Sequence, residues 1–159
     1  MSQAPATRMD AESTVQVFDG LWCSGQLSAA DIARLPGLGI ATVINLALPT
    51  SSNALSGEAE RVTALGMNYV QIPVAWDGPK LRHFEQFVGV MAALGDQPVW
   101  LHCAKNMRAS AFVYLYRRLV RGEPEEQAAW PMRVIWTPNP IWQHWIDSVC
   151  AARGLTSPR

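Results

Sequence analysis

Cys103 and Arg108 are the residues in this sequence whose types and spacing most directly propose chemistry. Cys103 follows the apolar run Pro98-Val99-Trp100-Leu101-His102, and Arg108 comes after four intervening residues, at the start of a second apolar stretch. A turn from a strand into a helix aims several unpaired backbone N–H groups in one direction, and the helix dipole adds positive potential there. Such a place holds an anion. The same field favours a thiolate, taking a cysteine from about 8.5 to as low as ~3.5–7.5. Arg108 can grip two anion oxygens with its planar fork, whereas Lys105 adds charge without a fork. A thiolate, a cradle of amides from Ala104, Lys105, Asn106, Met107 and Ala109, and an arginine are the parts needed to attack phosphorus and form a phosphocysteine. A lone cysteine at a strand end is ordinarily a small buried hydrophobe, so the case rests on the neighbours. His102 reads as a structural residue orienting the loop, not as a base.

The elements that must position this turn alternate along the chain. Val15–Phe18 and Leu21–Cys23 read as short strands around Asp19-Gly20. Ser28-Ala29-Ala30-Asp31 has capping-box spacing and predicts a helix ending near Pro36-Gly37. The β-branched run Ala41–Leu46 predicts a strand buried on both faces, and Asn68–Val74 reads as the next strand. Helices are expected over Gly57–Leu65, Lys80–Leu94 and Met107–Arg121, with two further helical pieces after Glu123, interrupted by prolines. The fold class is therefore α/β, with a single, mainly parallel sheet of four or five strands flanked by helices on both faces. Ligands of such sheets lie beyond the carboxyl ends of the strands, where Cys103 falls.

Composition narrows the partners. Thirteen basic and thirteen acidic residues leave no formal net charge, so bulk electrostatics favours neither nucleic acid nor a membrane surface. The expected partner is a phosphorylated or other anionic substrate held by a local site. Three scattered cysteines form neither a disulfide framework nor a zinc cluster, and no His, Asp or Glu cluster has metal-ligand spacing. Neither a metal nor a cofactor is expected, and the cysteine usage predicts a cytoplasmic, reducing setting. Residues 1–14 are polar, without the apolar stretch of a secretory signal, and predict a disordered tail. The domain is expected over residues 15–153, with a short tail at 154–159.

The run His102-Cys103-Ala104-Lys105-Asn106-Met107-Arg108-Ala109-Ser110 resembles the signature of the protein tyrosine and dual-specificity phosphatase superfamily. More closely, the chain resembles a bacterial branch, the tyrosine-phosphatase-like proteins of the domain of unknown function 442 group. Trp22–Ser28, Thr42–Leu46, Tyr69–Val74 and Asn106–Phe112 carry that resemblance, which extends from about residue 15 to 150. It implies a cysteine-phosphatase-like fold and a cysteine nucleophile. Two departures bear on activity. The superfamily places five residues between cysteine and arginine, so Ala109 stands in the usual arginine register and Asn106 in the usual glycine register. One residue is about 100° of helical rotation, which would turn Arg108 aside unless the loop is reshaped. Asparagine tolerates the left-handed conformation that glycine would supply.

The second departure concerns the general acid. Asp77, in Pro73-Val74-Ala75-Trp76-Asp77-Gly78-Pro79, is the candidate, although the register places Trp76 where the acid is expected. Asp77 reads equally as a turn residue before glycine. Trp76 is a candidate wall of the pocket, and Ser110 either assists thiolate departure or bonds back within its helix. Trp130, Trp136, Trp142 and Trp145 read as core packing, and Arg117 and Arg118 as a solvated helix face. Glu58 reads as support for a helix start whose loop borders the pocket, and Gln26 as a turn residue. Three functions follow: a phosphomonoester hydrolase acting on phosphotyrosine-like substrates, a catalytically weak pseudophosphatase that binds anionic ligands, and a rhodanese-like sulfurtransferase, whose loop also carries four residues.

Overall fold

The computed structural model describes residues 8–155. Its centre is a five-stranded sheet in the order β1-β2-β5-β3-β4, made from Val15–Phe18 (β1), Leu21–Ser24 (β2), Thr42–Asn45 (β3), Asn68–Gln71 (β4) and Val99–His102 (β5). Only β1, joined to β2 by the tight turn at Asp19-Gly20, runs antiparallel to its neighbour. β5 lies between β2 and β3, pairing Ser24 with His102 and Asn45 with His102. All four residues of β3 and of β5 are buried, as expected of parallel strands covered on both faces.

The helices are α1 (Ala29–Arg34), α2 (Glu58–Ala64), α3 (Leu81–Leu94), α4 (Met107–Leu115), α5 (Glu125–Ala128), α6 (Met132–Ile135) and α7 (Pro140–Ala152). α1 opens on the expected capping box. Ser28 Oγ accepts from Asp31 N at 3.0 Å, and Asp31 Oδ2 accepts from Ser28 N at 3.1 Å. Helices α1 and α2 cover one face of the sheet, over Val43 and Trp100. Helices α3, α4 and α7 cover the other, over Ile44 and Leu101, with Phe84, Phe87, Phe112, Trp142 and Trp145 forming a continuous aromatic core.

Several expectations are corrected. The segment after Glu123 forms three helices instead of two, because Pro131 and Pro140 each start a new one. Helix α4 passes into a π-helical turn at Tyr116–Val120. Trp142 and Trp145 are buried but Trp130 is 43% exposed, so it is not core. Arg117 is no solvated residue: its Nε donates to Glu123 Oε1 at 2.6 Å and its Nη1 to the Trp130 carbonyl at 2.8 Å. Burial would raise the Glu123 carboxyl, yet hydrogen bonds from Arg121 and Arg117 hold it below the usual range. Residues 10–14, assigned to the tail by their polarity, are tied down. Asp10 N and Ala11 N donate to the Asp31 carboxylate, and Ala11 is buried. Residues 1–7 and 156–159 of the expected tails lie outside the described residues.

Candidate active site

β5 delivers Cys103 to the carboxyl edge of the sheet, and α4 starts four residues later. Between them Asn106 takes the left-handed conformation, φ 67° and ψ 9°, where the chain turns into the helix. Its Nδ2 donates to the Ser13 carbonyl at 2.8 Å and lies 3.4 Å from Cys23 Sγ, tying the turn to β1 and β2. Gly25 is a close approach: a Cβ there would sit 2.8 Å from the Ala104 carbonyl oxygen. That contact lets Gln26 N donate to Ala104 O at 3.1 Å and pairs Gly25 with Lys105. Asn53 Nδ2 donates to the same Ala104 oxygen at 3.0 Å.

The short loop does not turn Arg108 away. Arg108 is 6% exposed, and its Nη1 donates to the Val74 carbonyl at 2.7 Å, so the guanidinium crosses from α4 to the segment after β4. Cys103 is 1% exposed, with the Ala109 amide 3.4 Å from its sulfur. Arg108 and Cys103 line one cavity of about 250 Å³ together with Ser52, Asn53, Trp76 and Lys105. The first amides of a helix have no intrahelical partner. Ala109 N turns to Cys103 Sγ and Ser110 N bonds Asn106 O, which leaves the Met107 and Arg108 amides for a ligand. An anion in this cavity would meet amides, a guanidinium and a thiol sulfur from one short stretch of chain. Cys23, beneath the loop, is different: burial pushes its thiol up to about 12, against a smaller opposing pull from Asn106.

Behind the loop His102 is fully buried, with Nδ1 3.1 Å from the Cys103 carbonyl and Nε2 2.5 Å from Glu58 Oε2. Since a carbonyl only accepts, Nδ1 carries a hydrogen, and one further proton lies between Nε2 and Oε2. The other Glu58 oxygen accepts from Gln26 Nε2 at 2.8 Å. The chain Gln26–Glu58–His102 therefore fixes the carbonyl of Cys103. The sequence marks Glu58 only as a helix-start residue whose loop borders the pocket and Gln26 only as a turn residue; the link between them and His102 is a tertiary feature. Ser52 and Asn53 were missed; their only signal was a polar loop after β3, on the ligand edge.

Two expected residues fall elsewhere. Asp77 does not line the cavity with Cys103. It is exposed and lines a neighbouring groove with Gly78, Pro79, Leu81, Ile141 and His144. Its loop is pinned from outside, since Trp142 Nε1 donates to the Trp76 carbonyl at 2.7 Å and Trp145 Nε1 to the Lys80 carbonyl at 2.9 Å. Ser110 Oγ bonds back to Met107 O at 2.9 Å and accepts from Trp136 Nε1 at 3.1 Å, the helix-bonding alternative. Trp76 is a wall of the cavity, 42% exposed, tilted against Trp136 and Trp142 with the Arg108 guanidinium 5.9 Å from its ring.

A family model described as a DSP-PTPase phosphatase fused to NAD+ kinase matches residues 4–137. The chain belongs to this family. The domain is similar to the crystal structure of a candidate phosphatase of the DUF442 group from Shewanella putrefaciens CN-32. The two share 34% identity over 91% of this chain and 95% of that one, with a TM-score of 0.82. The fold is shared more distantly with PTPMT1 in complex with PI(5)P (17% identity, 88% and 96% covered, TM-score 0.72). It is also shared with a cysteine-to-serine variant of P. aeruginosa TpbA in complex with phosphotyrosine (19% identity, 83% and 80% covered, TM-score 0.60). Comparison with curated proteins found no match. The DSP-PTPase domain of this chain thus has the cysteine-phosphatase fold, and no helix among its described residues is long and apolar enough to cross a membrane.

Proposed function

We propose that this protein hydrolyses phosphomonoesters through a phosphocysteine intermediate. The observation that carries the proposal is that Cys103 and Arg108 line one cavity at the start of α4 in spite of the shortened loop. Arg108 and the amides of the loop hold the phosphoryl oxygens while Cys103 Sγ attacks phosphorus. Lys105 adds charge at the rim. Fixed donors aimed at the phosphoryl group need no reorganisation during the reaction, which is the main way a protein accelerates such a transfer. The exposed Trp76 wall fits a flat aromatic leaving group, so phosphotyrosine-like substrates are the first class to test. The family's tie to NAD+ kinase makes the 2′-phosphate of an adenine dinucleotide the second. A thiolate nucleophile fits a reducing, cytoplasmic setting, with an anionic small molecule or peptide as the partner.

A second reading, an anion-binding module with weak catalysis, is favoured by one observation: Asp77 lies outside the cavity. Hydrolysis of para-nitrophenyl phosphate without added metal separates the two. Wild type is expected to turn over, with Cys103→Ser inactive and Arg108→Ala lower by about 10²–10³, the effect of removing one transition-state donor. Retention of vanadate or phosphate by a wild type as silent as Cys103→Ser would establish the binding module instead.

A further inference from the structure

The leaving oxygen of a phosphomonoester must receive a proton, and the structure narrows its source. Among the described residues, the ionisable side chains lining the cavity are Cys103, Lys105 and Arg108; no carboxyl, imidazole or phenol joins them. Cys103 is the nucleophile, and a guanidinium does not give up its proton in proteins. Asp77 cannot serve from its present place. The loop carrying it is held by indole N–H bonds to the carbonyls on either side, Trp76 and Lys80, and by the Arg108 bond to Val74 O. Swinging Asp77 into the cavity would break bonds on both flanks.

We propose that Lys105 is the proton donor, a role that rests on the phosphatase reading above. Its backbone is fixed by the pairing with Gly25 and by the bonds from Gln26 N and Asn53 Nδ2 to Ala104 O, so its side chain starts from a set point on the rim. It makes no ion pair or hydrogen bond among the described residues that would hold its ammonium elsewhere. An alkylammonium and a phenol titrate within about a unit of each other in water, so transfer between them is nearly balanced.

The steps close in atoms and charge. Cys103 thiolate forms the S–P bond as the P–O bond to the leaving group breaks, and the departing oxygen takes a proton from Lys105 Nζ, leaving an amine. Water then attacks phosphorus, its proton passes to that amine, and the S–P bond breaks to return the thiolate, inorganic phosphate and the ammonium.

The test compares two substrates, para-nitrophenyl phosphate, whose leaving group departs readily without a proton, and phenyl phosphate, whose phenolate resembles tyrosine. Lys105→Met is expected to lower kcat on phenyl phosphate by about 10²-fold or more, the usual contribution of a general acid. Its loss on para-nitrophenyl phosphate should be at least tenfold smaller, roughly the difference in acid demand between the two. Lys105→Arg, which keeps the charge but cannot donate, should show the same split, and both variants should lose the alkaline limb of the kcat–pH profile. Asp77→Asn should change neither substrate. Equal losses on the two substrates, or rescue by arginine, would overturn the proposal and leave Lys105 as a phosphate-holding charge. A loss with Asp77→Asn confined to phenyl phosphate would overturn it in favour of a mobile Asp77 loop. Absence of Cys103-dependent turnover of both substrates by wild type would remove the phosphatase reading itself.

Discussion

At Gly25 a single hydrogen in place of a side chain decides whether the loop after β5 can pack as it does. The Ala104 oxygen stands where a Cβ would have to go, and the Lys105 Cα is only 3.2 Å from that position. Both obstacles are backbone, which cannot rotate aside. Gly25→Ala should therefore push the loop off Gln26 and Asn53 and cost about 1–3 kcal/mol, as overpacking does. Urea unfolding would measure the cost, and a fall in vanadate affinity larger than the stability change predicts would show that the loop has moved. Asn106 shows the complementary choice: the left-handed turn takes a residue with a side chain because that side chain bonds Ser13 and reaches Cys23.

At the scale of elements, α3 has a pH-sensitive start. Lys80 N donates to His83 Nδ1 at 3.0 Å and His83 N donates to Lys80 O at 3.0 Å, so the imidazole must be neutral at Nδ1 to cap the helix. Burial, followed by the charges of Arg82 and Lys80, lowers the His83 pKa from 6.5. The unfolded chain therefore binds the proton first, and the cap's contribution is complete above about 6.5 and lost as pH falls through the lower folded value. The urea midpoint of wild type should drop between pH 7 and pH 5. His83→Gln, which keeps an acceptor at this position without titrating, should flatten that drop. An unchanged slope in the variant would count against His83 as its source.

The whole molecule is held by the aromatic core that ties α4, and with it Arg108, to α3 and α7. Phe112 is fully buried, edge-on to Phe87 at 5.6 Å and 4.9 Å from Trp145. Removing its ring opens a cavity at the meeting point of three helices. Phe112→Ala is expected to cost about 3–5 kcal/mol, a large share of the ~5–15 kcal/mol that stabilises a domain. Denaturant unfolding followed by tryptophan fluorescence would read this directly. The same core sets the outer wall of the site, because Trp142 both packs on Phe112 and donates to the Trp76 carbonyl.

The strands, the parallel layering and the position of Cys103 are legible along the chain, because β-branched runs, helix periodicity and capping residues act over a few neighbours. The sequence also placed Arg108 in doubt for a sound reason, since an ideal helix would have rotated it away. Tertiary structure decided what distant segments did to that turn. Ser13, Cys23, Gly25 and Asn53 bend the loop so that Arg108 shares the cavity, and Glu58 reaches His102 across 44 residues. Asp77 was placed by bonds from Trp142 to Trp76 and from Trp145 to Lys80, 66 and 65 residues apart in sequence. Spacing along the chain limits where a side chain begins, but the direction of a surface loop depends on which remote donor meets its carbonyls, and no local pattern encodes that.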